Sequence, residues 1–445
     1  MFSFTMNERS FYISQFFRSL AEAMISPFLS VYFLFLGATK FLIGLASTLP
    51  NLAHLFFQLF WSSFSETTYK KKFFIIFGGI AWGLMWIPIA LVKDPFLLII
   101  LLVIQSAISA ASTPAWTTLL IRITSGYKIA YVQGNLNVIG KFASLIGNLI
   151  AGLILNTFGF IPFIFYIIAF FGLMSRIPFF PMREPLMPCS DRSLKSILKR
   201  TLELSNIKKE KNLVKIIIAI TFLNFSVSLS SPFLSVYVIT NLGGNLINIT
   251  MLSIIEAIIM IIFSRPWGSV INKIGKKFVM LACILPISFI PSVYALAPSI
   301  EWIYLYQILG VMSWTGFNLA VFTYLASILP KDKTDSSIAF YNLFVGLGSA
   351  IGPVIGGIFS EFIGFRSLFF LSTILRFLSI FLIERLEEKE EQKPKLVGFP
   401  FELFDLSYRI ENFVNTYSLV MIETLRQSTS LFKKPKFSLH KASKL

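Results

Sequence analysis

The heptapeptide Ser-Pro-Phe-Leu-Ser-Val-Tyr occurs twice in this chain, at residues 26–32 and again at residues 231–237, an offset of 205 residues. Further matches follow in the same order at nearly the same offset: Trp61 with Trp267, Gly147 with Gly352, Gly152 with Gly357, and Phe158-Gly159-Phe160 with Ile363-Gly364-Phe365. Ordered matches at a near-constant offset indicate an internal duplication. The chain is therefore predicted to consist of two similar halves.

The composition places the chain in a membrane. Hydrophobic residues make up 55% of the 445 residues and charged residues 14%, whereas soluble proteins average about 25% charged residues. A net charge of +17 is typical of proteins that bind nucleic acid or anionic surfaces, but the long apolar stretches favour the lipid bilayer over nucleic acid. Two cysteines and two histidines are too few for a disulfide framework or a usual metal cluster. We expect no cofactor and no metal.

Twelve stretches are predicted to cross the bilayer, since a spanning helix needs about 20 mostly apolar residues. They are residues 10–36, 41–65, 73–92, 96–123, 129–157, 160–182, 212–240, 246–271, 277–297, 300–329, 337–362 and 366–385. The predicted fold class is an all-α integral membrane protein with twelve transmembrane helices in two pseudo-symmetric six-helix bundles. The predicted domains are residues 1–182, a cytoplasmic linker of 183–211, a second bundle of 212–385, and a cytoplasmic tail of 386–445.

Lysine and arginine predict the orientation of these helices. Most of the 39 basic residues lie in the loops that follow the even-numbered stretches, in residues 183–215 and in the tail. Cytoplasmic loops carry an excess of lysine and arginine. Both termini are therefore predicted to be cytoplasmic, in a multi-pass protein of the cell membrane.

Two segments outside the predicted spans have helical patterns. Residues 194–204 of the linker are either an amphipathic helix on an anionic leaflet or a solvated basic tether. In the tail, apolar residues recur at helical spacing, namely Leu403, Leu406, Ile410, Phe413, Tyr417, Val420 and Met421. We expect a tail helix that lies on the membrane or against the cytoplasmic face.

The loop between the eighth and ninth stretches runs Gly268-Ser-Val-Ile-Asn272-Lys273-Ile-Gly275-Lys276-Lys277. It resembles the cytoplasmic loop signature of the major facilitator superfamily, with Asn272 at the place of the usual acid. The equivalent loop of the first half, from Ser62 to Lys72, keeps an acid and a basic cluster but lacks both glycines. The resemblance covers roughly residues 10–385 and implies two six-helix bundles that rock around a midplane site.

This resemblance also implies a cytoplasmic gate in which lysines pair with acids when that face closes. The gate residues carried over are Glu66, Lys70, Lys71, Lys72, Gly268, Asn272, Lys273, Gly275 and Lys276. The alternative is that these charges only set the topology. The eleventh stretch carries Gly346, Gly348, Gly352, Pro353, Gly356 and Gly357, which are expected to permit close helix packing and a bend.

Acids inside the spans are rare and mark candidate functional sites. Glu22 follows Arg18 by four residues, so the two side chains share a helix face. They form either a proton-coupling pair or a permanent structural ion pair. Glu256 has no partner in its own helix, and Lys141 is a candidate partner from the other half. The proton-coupled drug exporters of the superfamily carry an arginine three residues before a glutamine in helix 4, but here Leu102 precedes Gln105.

By resemblance, helices 1, 4, 7 and 10 line the cavity, and helix 2 adds two polar residues. The substrate-binding or coupling candidates are Arg18, Glu22, Asn51, His54, Gln105, Trp116, Asn224, Glu256, Gln307, Trp314 and Asn318. A few polar anchors among aromatic side chains suit a small-molecule pocket. Each aromatic residue can alternatively serve packing alone.

These observations predict a secondary transporter that moves a small organic solute by alternating access, with proton-coupled efflux of amphipathic compounds preferred. Uptake of a sugar or organic acid is the first alternative, and a transporter-derived sensor that signals through the tail is another. A membrane enzyme is disfavoured because all five aspartates lie outside the predicted spans. The expected partners are the solute, the bilayer and, where transport is coupled, protons. We expect a monomer.

Overall fold

The computed structural model describes residues 6–66, 70–124, 129–160, 162–182, 184, 211–329, 334–387 and 415–425. The helices are α1 (Met6–Ala23), α2 (Leu29–Phe35), α3 (Lys40–Glu66), α4 (Lys71–Leu84), α5 (Trp86–Leu91), α6 (Pro95–Ser109), α7 (Ser112–Ile123), α8 (Ile129–Phe158), α9 (Pro162–Met174), α10 (Lys211–Thr240), α11 (Leu246–Ile274), α12 (Lys276–Leu296), α13 (Ile300–Ile328), α14 (Thr334–Glu384) and α15 (415–425). A 3₁₀ turn at Ile177–Phe179 follows α9. The predicted amphipathic helix of the linker and most of the predicted tail helix lie outside these residues.

The helices form the predicted transmembrane bundle. Ten segments among the described residues are long and apolar enough to cross a membrane. The last of them, Phe340–Glu384, is 45 residues long, or roughly 67 Å at 1.5 Å per residue, which is enough for two crossings. Gly364 divides it with φ of 81°, a conformation that glycine adopts without steric cost. The shorter helices α1 and α2 together make the first crossing.

The repeated heptapeptide adopts two conformations. In the first half the chain leaves the helix before Pro27, and α1 and α2 are separated by turns at residues 24–28. In the second half the same sequence continues without a break inside α10, which contains Pro232. The prediction of one uninterrupted helix over 10–36 is therefore wrong at this point. Tertiary packing decides the local conformation, because the seven residues are identical.

A pair of tryptophans preserves the duplication in three dimensions. Trp61 Nε1 donates to the carbonyl of Ala107, and Trp267 Nε1 donates to the carbonyl of Met312, each over 2.9 Å. Both the donors and the acceptors are separated by 205 or 206 residues along the chain. Each half thus fastens its second span to its fourth with the same hydrogen bond.

The buried core that the two halves share lies toward one side of the bundle, as judged from the described helices. We call the side where α2, α5, α8, α10 and α12 end the hairpin face, and the side where α3, α7, α9, α11 and α13 end the linker face. One core toward the hairpin face contains residues of both halves, among them Phe28, Tyr32, Phe233 and Tyr237. Toward the linker face there are two separate cores, one in each half. The molecule is therefore closed at the hairpin face and splayed at the linker face.

Helices α3 and α14 form a close backbone contact between the halves. A Cβ atom on Gly44 would lie 2.4 Å from the carbonyl oxygen of Pro353, and one on Gly357 would lie 2.8 Å from that of Lys40. The backbone N–H of Val354 donates to Thr48 Oγ1 over 3.0 Å. The glycines of α14 therefore serve the close packing that the sequence predicts, and part of that packing joins the halves.

Two further hydrogen bonds cross at the hairpin end of this contact. Lys40 Nζ donates to the carbonyl of Ser360 over 2.9 Å and lies 4.4 Å from the ring centre of Phe365. The backbone N–H of Phe41 donates to Glu361 Oε2 over 3.3 Å. The start of α3 is thus hydrogen-bonded to the end of the eleventh span.

The tail helix α15 docks on the second half. Thr416, Tyr417, Val420 and Glu423 are buried, and the Tyr417 hydroxyl lies 2.5 Å from Ser313 Oγ. The outer side of α15 is exposed and apolar, with Met421, Ile422 and Leu425. The tail residue Tyr417 therefore belongs to the core of the second half, as does Val420.

Candidate functional site

The charges inside the first half centre on Glu22 and Arg18 of α1. Arg18 Nε donates to Glu22 Oε1 over 2.5 Å, and the Arg18 guanidinium lies 3.8 Å from the ring centre of Trp82 on α4. Arg18 is 21% exposed and Glu22 is 49% exposed, so packed side chains do not enclose the pair. His54 of α3 and Arg176 lie within electrostatic range of both residues. Four titratable groups thus form a cluster, which we call the N-half charge cluster: Arg18 and Glu22 of α1, His54 of α3, and Arg176 just beyond the end of α9.

A second ion pair links the halves. Lys141 Nζ of α8 lies 3.7 Å from Glu256 Oε1 of α11, and both side chains are more than one third exposed. The structure therefore brings together the two charges that the sequence offered as partners. An exposed pair of this kind contributes roughly 0.2–1 kcal/mol, since water screens much of the attraction.

Removing the Lys141–Glu256 pair is expected to favour separation of the halves modestly. Glu256→Gln should shift the conformational equilibrium by about twofold to fivefold, the equivalent of that free energy. The charge-swapped double variant Lys141→Glu/Glu256→Lys should restore most of the loss, whereas Lys141→Glu alone should be worse than Glu256→Gln. A double-mutant cycle on transport rate measures this coupling; additive effects of the two changes would contradict a direct pair.

Four other candidates remain open to solute. His54 Nε2 lies 3.4 Å from Thr113 Oγ1, which joins α3 to α7. Asn51 and Asn318 are exposed, and Gln307 is half-buried. These side chains can offer polar groups to a solute, and the mostly apolar site with few anchors stays a prediction.

Four predicted site residues have structural partners within the bundle. Gln105 is 4% exposed, and its Nε2 donates to the carbonyl of Trp82 over 2.9 Å. The amide of Asn224 donates to the carbonyl of Ile220 in its own helix over 2.9 Å. Buried polar groups need such partners because an unpaired one costs about 1–3 kcal/mol. Gln105 in particular does not line the cavity.

The two tryptophans among the candidates pack against other rings. Trp116 meets Phe11 edge-on with ring centres 4.6 Å apart, and it meets Phe179 at 5.7 Å. Trp314 meets Phe317 of its own helix at 5.9 Å. Edge-on ring pairs of this kind stabilise packing, so the contacts favour a structural role for Trp116 toward the linker face.

The lysines of the first predicted gate are bound within their own half. Lys71 is buried, and its Nζ donates to the carbonyl and the hydroxyl of Ser65. Lys72 Nζ donates to the carbonyls of Phe180 and Met182 over 2.7 and 2.9 Å. Lys70 precedes α4 and is exposed, whereas the side chain of Glu66 lies outside the described part of the structure. Among the described residues, these hydrogen bonds of Lys71 and Lys72 stay within the first half, and the latch across the linker face stays a prediction.

The loop signature of the second half contacts the tail. Lys273 Nζ donates to Glu423 Oε1 of α15. Gly275 makes the turn from α11 to α12 with φ of 92°, which glycine permits, and Asn272 is exposed next to it while Lys276 begins α12. A Cβ on Gly268 would meet only Leu319, at 3.9 Å.

Gly268 of the loop signature therefore does not serve close helix packing. The close approach occurs at Gly316, where a Cβ would lie 2.5 Å from the Trp267 ring. The indole of Trp267 needs this space because its N–H reaches across to α13. Gly316, which lies opposite the buried Trp267, is the residue of the sequence that permits this close approach.

Three residues of the site were missed as functional candidates. Arg176 belongs to the N-half charge cluster, and Trp82 carries the Arg18 guanidinium on its ring. Lys40 closes the hairpin face through its bond to Ser360. For Arg176 and Lys40, the available signal in the sequence was a basic residue at the end of a predicted span.

Comparison with known proteins shows which family shares this architecture. A family model described as "Major Facilitator Superfamily" matches residues 11–255 and 216–435. The multi-drug resistance efflux pump PmrA of Streptococcus pneumoniae is 32% identical over 162 residues, which cover 35% of this chain and 40% of that protein. The chain thus spans less than half of this relative. The multidrug resistance protein MdtG of Escherichia coli is 21% identical over 369 residues, which cover 80% of this chain and 88% of that protein.

Solved structures show the same fold at low sequence identity. A point mutant of the nucleoside transporter NupG superimposes with a TM-score of 0.72 at 14% identity, covering 86% of this chain and all of that one. A bacterial homolog of the lysosomal transporter Spinster, in an inward-facing and occupied conformation, gives a TM-score of 0.65 at 12% identity, covering 85% of this chain and 96% of that one.

Proposed function

Since this chain belongs to the major facilitator superfamily and is a transporter rather than an enzyme, we propose that it exports amphipathic organic compounds from the cytoplasm by alternating access. Two partly exposed ion pairs carry the proposal: Arg18–Glu22 and Lys141–Glu256, which lie within apolar helices. Such a site suits a solute with one polar group and an apolar body. Similarity to PmrA and MdtG supports export over uptake.

The orientation is part of the proposal. The excess of lysine and arginine on the linker face favours a cytoplasmic position for that face and for both termini, in the cell membrane. The splayed linker face would then admit a solute from the cytoplasm. Release to the outside requires the hairpin contact between α3 and α14 to open while the linker face closes.

Glu22 is the proposed proton carrier. Its carboxylate is held by Arg18 and is partly exposed, so a solute that contacts Arg18 and a proton that binds Glu22 act on the same ion pair. Two alternatives remain to be distinguished by experiment: uptake of a sugar or organic acid, and sensing through α15.

Transport in inside-out vesicles tests export and coupling together. We expect a fluorescent amphipathic dye to accumulate when the lumen is acidic, because protons leave as the dye enters. Glu22→Gln should reduce accumulation to the level without a pH gradient, because the amide cannot exchange a proton. The matched control is Glu301→Gln, since Glu301 is exposed at the start of α13, on the hairpin face. Accumulation by Glu22→Gln that still follows the gradient would exclude Glu22 as the carrier, and accumulation only in right-side-out vesicles would favour uptake.

A further inference from the structure

The N-half charge cluster holds two arginines and one carboxylate. Arg18 and Arg176 both pack on the same side of α4, since Arg18 lies on the Trp82 ring and a Cβ on Gly79 would fall 1.7 Å from Arg176 Nε. Gly79 and Trp82 are three residues apart and so lie nearly one helical turn apart on one face. The two guanidinium groups therefore lie close together, with Glu22 as their shared counter-charge.

Arg176 is the most deeply buried member of this cluster, and it shares the single carboxylate of Glu22 with Arg18. It is 4% exposed, and its Nε has no hydrogen-bond partner among the described residues. Arg376 provides the comparison, because it is 2% exposed in the second half and, although its Nε is also unpaired among those residues, its terminal nitrogens donate to the carbonyl of Ile287 and to Ser230 Oγ. A buried charge without adequate pairing is expensive and marks a functional group.

The other acid within the described spans near the cavity cannot supply the missing charge. Glu256 is already paired with Lys141. Counting Arg18, Arg176 and Lys141 against Glu22 and Glu256, the described ionised groups of these two sites have one positive charge in excess. An entering cation would meet no free carboxylate here, whereas an anion would meet a partly exposed arginine backed by a second, buried one.

We propose that the N-half charge cluster binds the carboxylate of an amphipathic organic anion, with Arg18 as the contacting group and Arg176 as the buried charge behind it. This proposal rests on the export function above and names its substrate class. The solute carboxylate and Glu22 compete for the arginines. Binding of the anion therefore loosens Glu22 from Arg18.

Three naphthalene probes of similar size test the charge preference. They are 1-naphthaleneacetate, its neutral amide 1-naphthaleneacetamide, and the cation 1-naphthylmethylammonium. Affinity is measured by titration of the full-length chain in lipid nanodiscs, with empty nanodiscs subtracted. We expect the acetate to bind most tightly. Arg176→Gln should weaken acetate binding by about tenfold or more, since a unit charge acts strongly through a partly buried site, and it should leave amide binding unchanged.

Glu22→Gln provides a result that misfolding cannot imitate. It removes the competing carboxylate, so acetate affinity should rise several-fold. Arg376→Lys, which changes the matched buried arginine, should leave the order of the probes unchanged. Preferential binding of the cation would overturn the anion site while leaving export in place. The same conclusion would follow if Arg176→Gln left the acetate affinity unchanged and Glu22→Gln did not raise it. Absence of binding by all three probes would overturn the export of amphipathic compounds as well.

Discussion

Replacing Gly44 by alanine is expected to open the hairpin face and to slow transport. A Cβ at this position would lie 2.4 Å from the carbonyl oxygen of Pro353 and 3.1 Å from Val354 Cα. Neither atom belongs to a flexible side chain, so the helices α3 and α14 must move apart. Overpacking of this kind costs about 1–3 kcal/mol, and the cost falls only on the state in which the hairpin face is closed. The equilibrium should shift away from that state by about 5- to 150-fold.

A cysteine at Asn51 reports this opening. Asn51 lies about one helical turn from Thr48 and two turns from Gly44, in the direction of the linker face. Thr48 contacts Val354 and Leu55 contacts Gly346, so Asn51 lies on the side of α3 that meets α14. A membrane-impermeant maleimide added from the hairpin face should label Asn51→Cys slowly, and faster when Gly44→Ala is added.

The matched control is Gly134→Ala in α8. No atom lies within 4 Å of a Cβ at Gly134, so this change should only favour the helix by about 0.5–1 kcal/mol. Equal labelling of Asn51→Cys with and without Gly44→Ala would contradict a gate at this contact. Reduced transport by Gly134→Ala would point to a general effect of glycine loss.

The architecture follows from sequence features that do not depend on partners. Apolar length predicts the spans, and the constant offset of the repeat predicts two halves, which the paired bonds of Trp61 and Trp267 confirm. Local sequence fails where packing chooses between conformations. The heptapeptide ends a helix before Pro27 and continues one through Pro232, although its residues are the same.

The site was harder to predict because helix rotation decides which polar side chains reach the cavity. Gln105 belongs to a helix of the expected set, yet it points at the carbonyl of Trp82. Arg176 lies near the end of the sixth predicted stretch, yet its contact with Gly79 places it in the bundle interior. The sequence pattern of one helix does not specify how the neighbouring helices are rotated about their own axes.

The contact of the tail helix with Trp267 becomes understandable when the two halves of the repeat are compared in the structure. In the first half, Trp61 is surrounded by aromatic rings, including Phe74 and Phe77 at 6.3 and 5.9 Å. At the offset of 205 residues, these positions are Val279 and Ala282 in the second half. Trp267 instead meets Tyr417 of α15 edge-on at 5.8 Å. The tail therefore provides an aromatic neighbour where the corresponding third-span positions of the second half have none.

Because Tyr417 provides this aromatic contact, we expect Tyr417→Ala to release α15 from the second half and to expose Cys283. Cys283 is buried and hydrogen-bonds to Tyr417, and burial raises the pKa of the Tyr417 phenol well above its usual range, so the hydroxyl stays protonated. Loss of a buried aromatic side chain costs about 3–5 kcal/mol. In a Cys189→Ser background, alkylation of Cys283 by N-ethylmaleimide should therefore accelerate at least about a hundredfold.

Met421→Ala is the control on the same helix, because Met421 is 54% exposed and its loss should leave Cys283 protected. Unchanged alkylation in Tyr417→Ala would mean that α15 does not shield this thiol. Transport by the released variant then separates the two proposed roles of the tail. A carrier should still move its solute, because the ion pairs of the cavity lie in other helices, whereas a sensor that signals through α15 should lose its output while binding is retained.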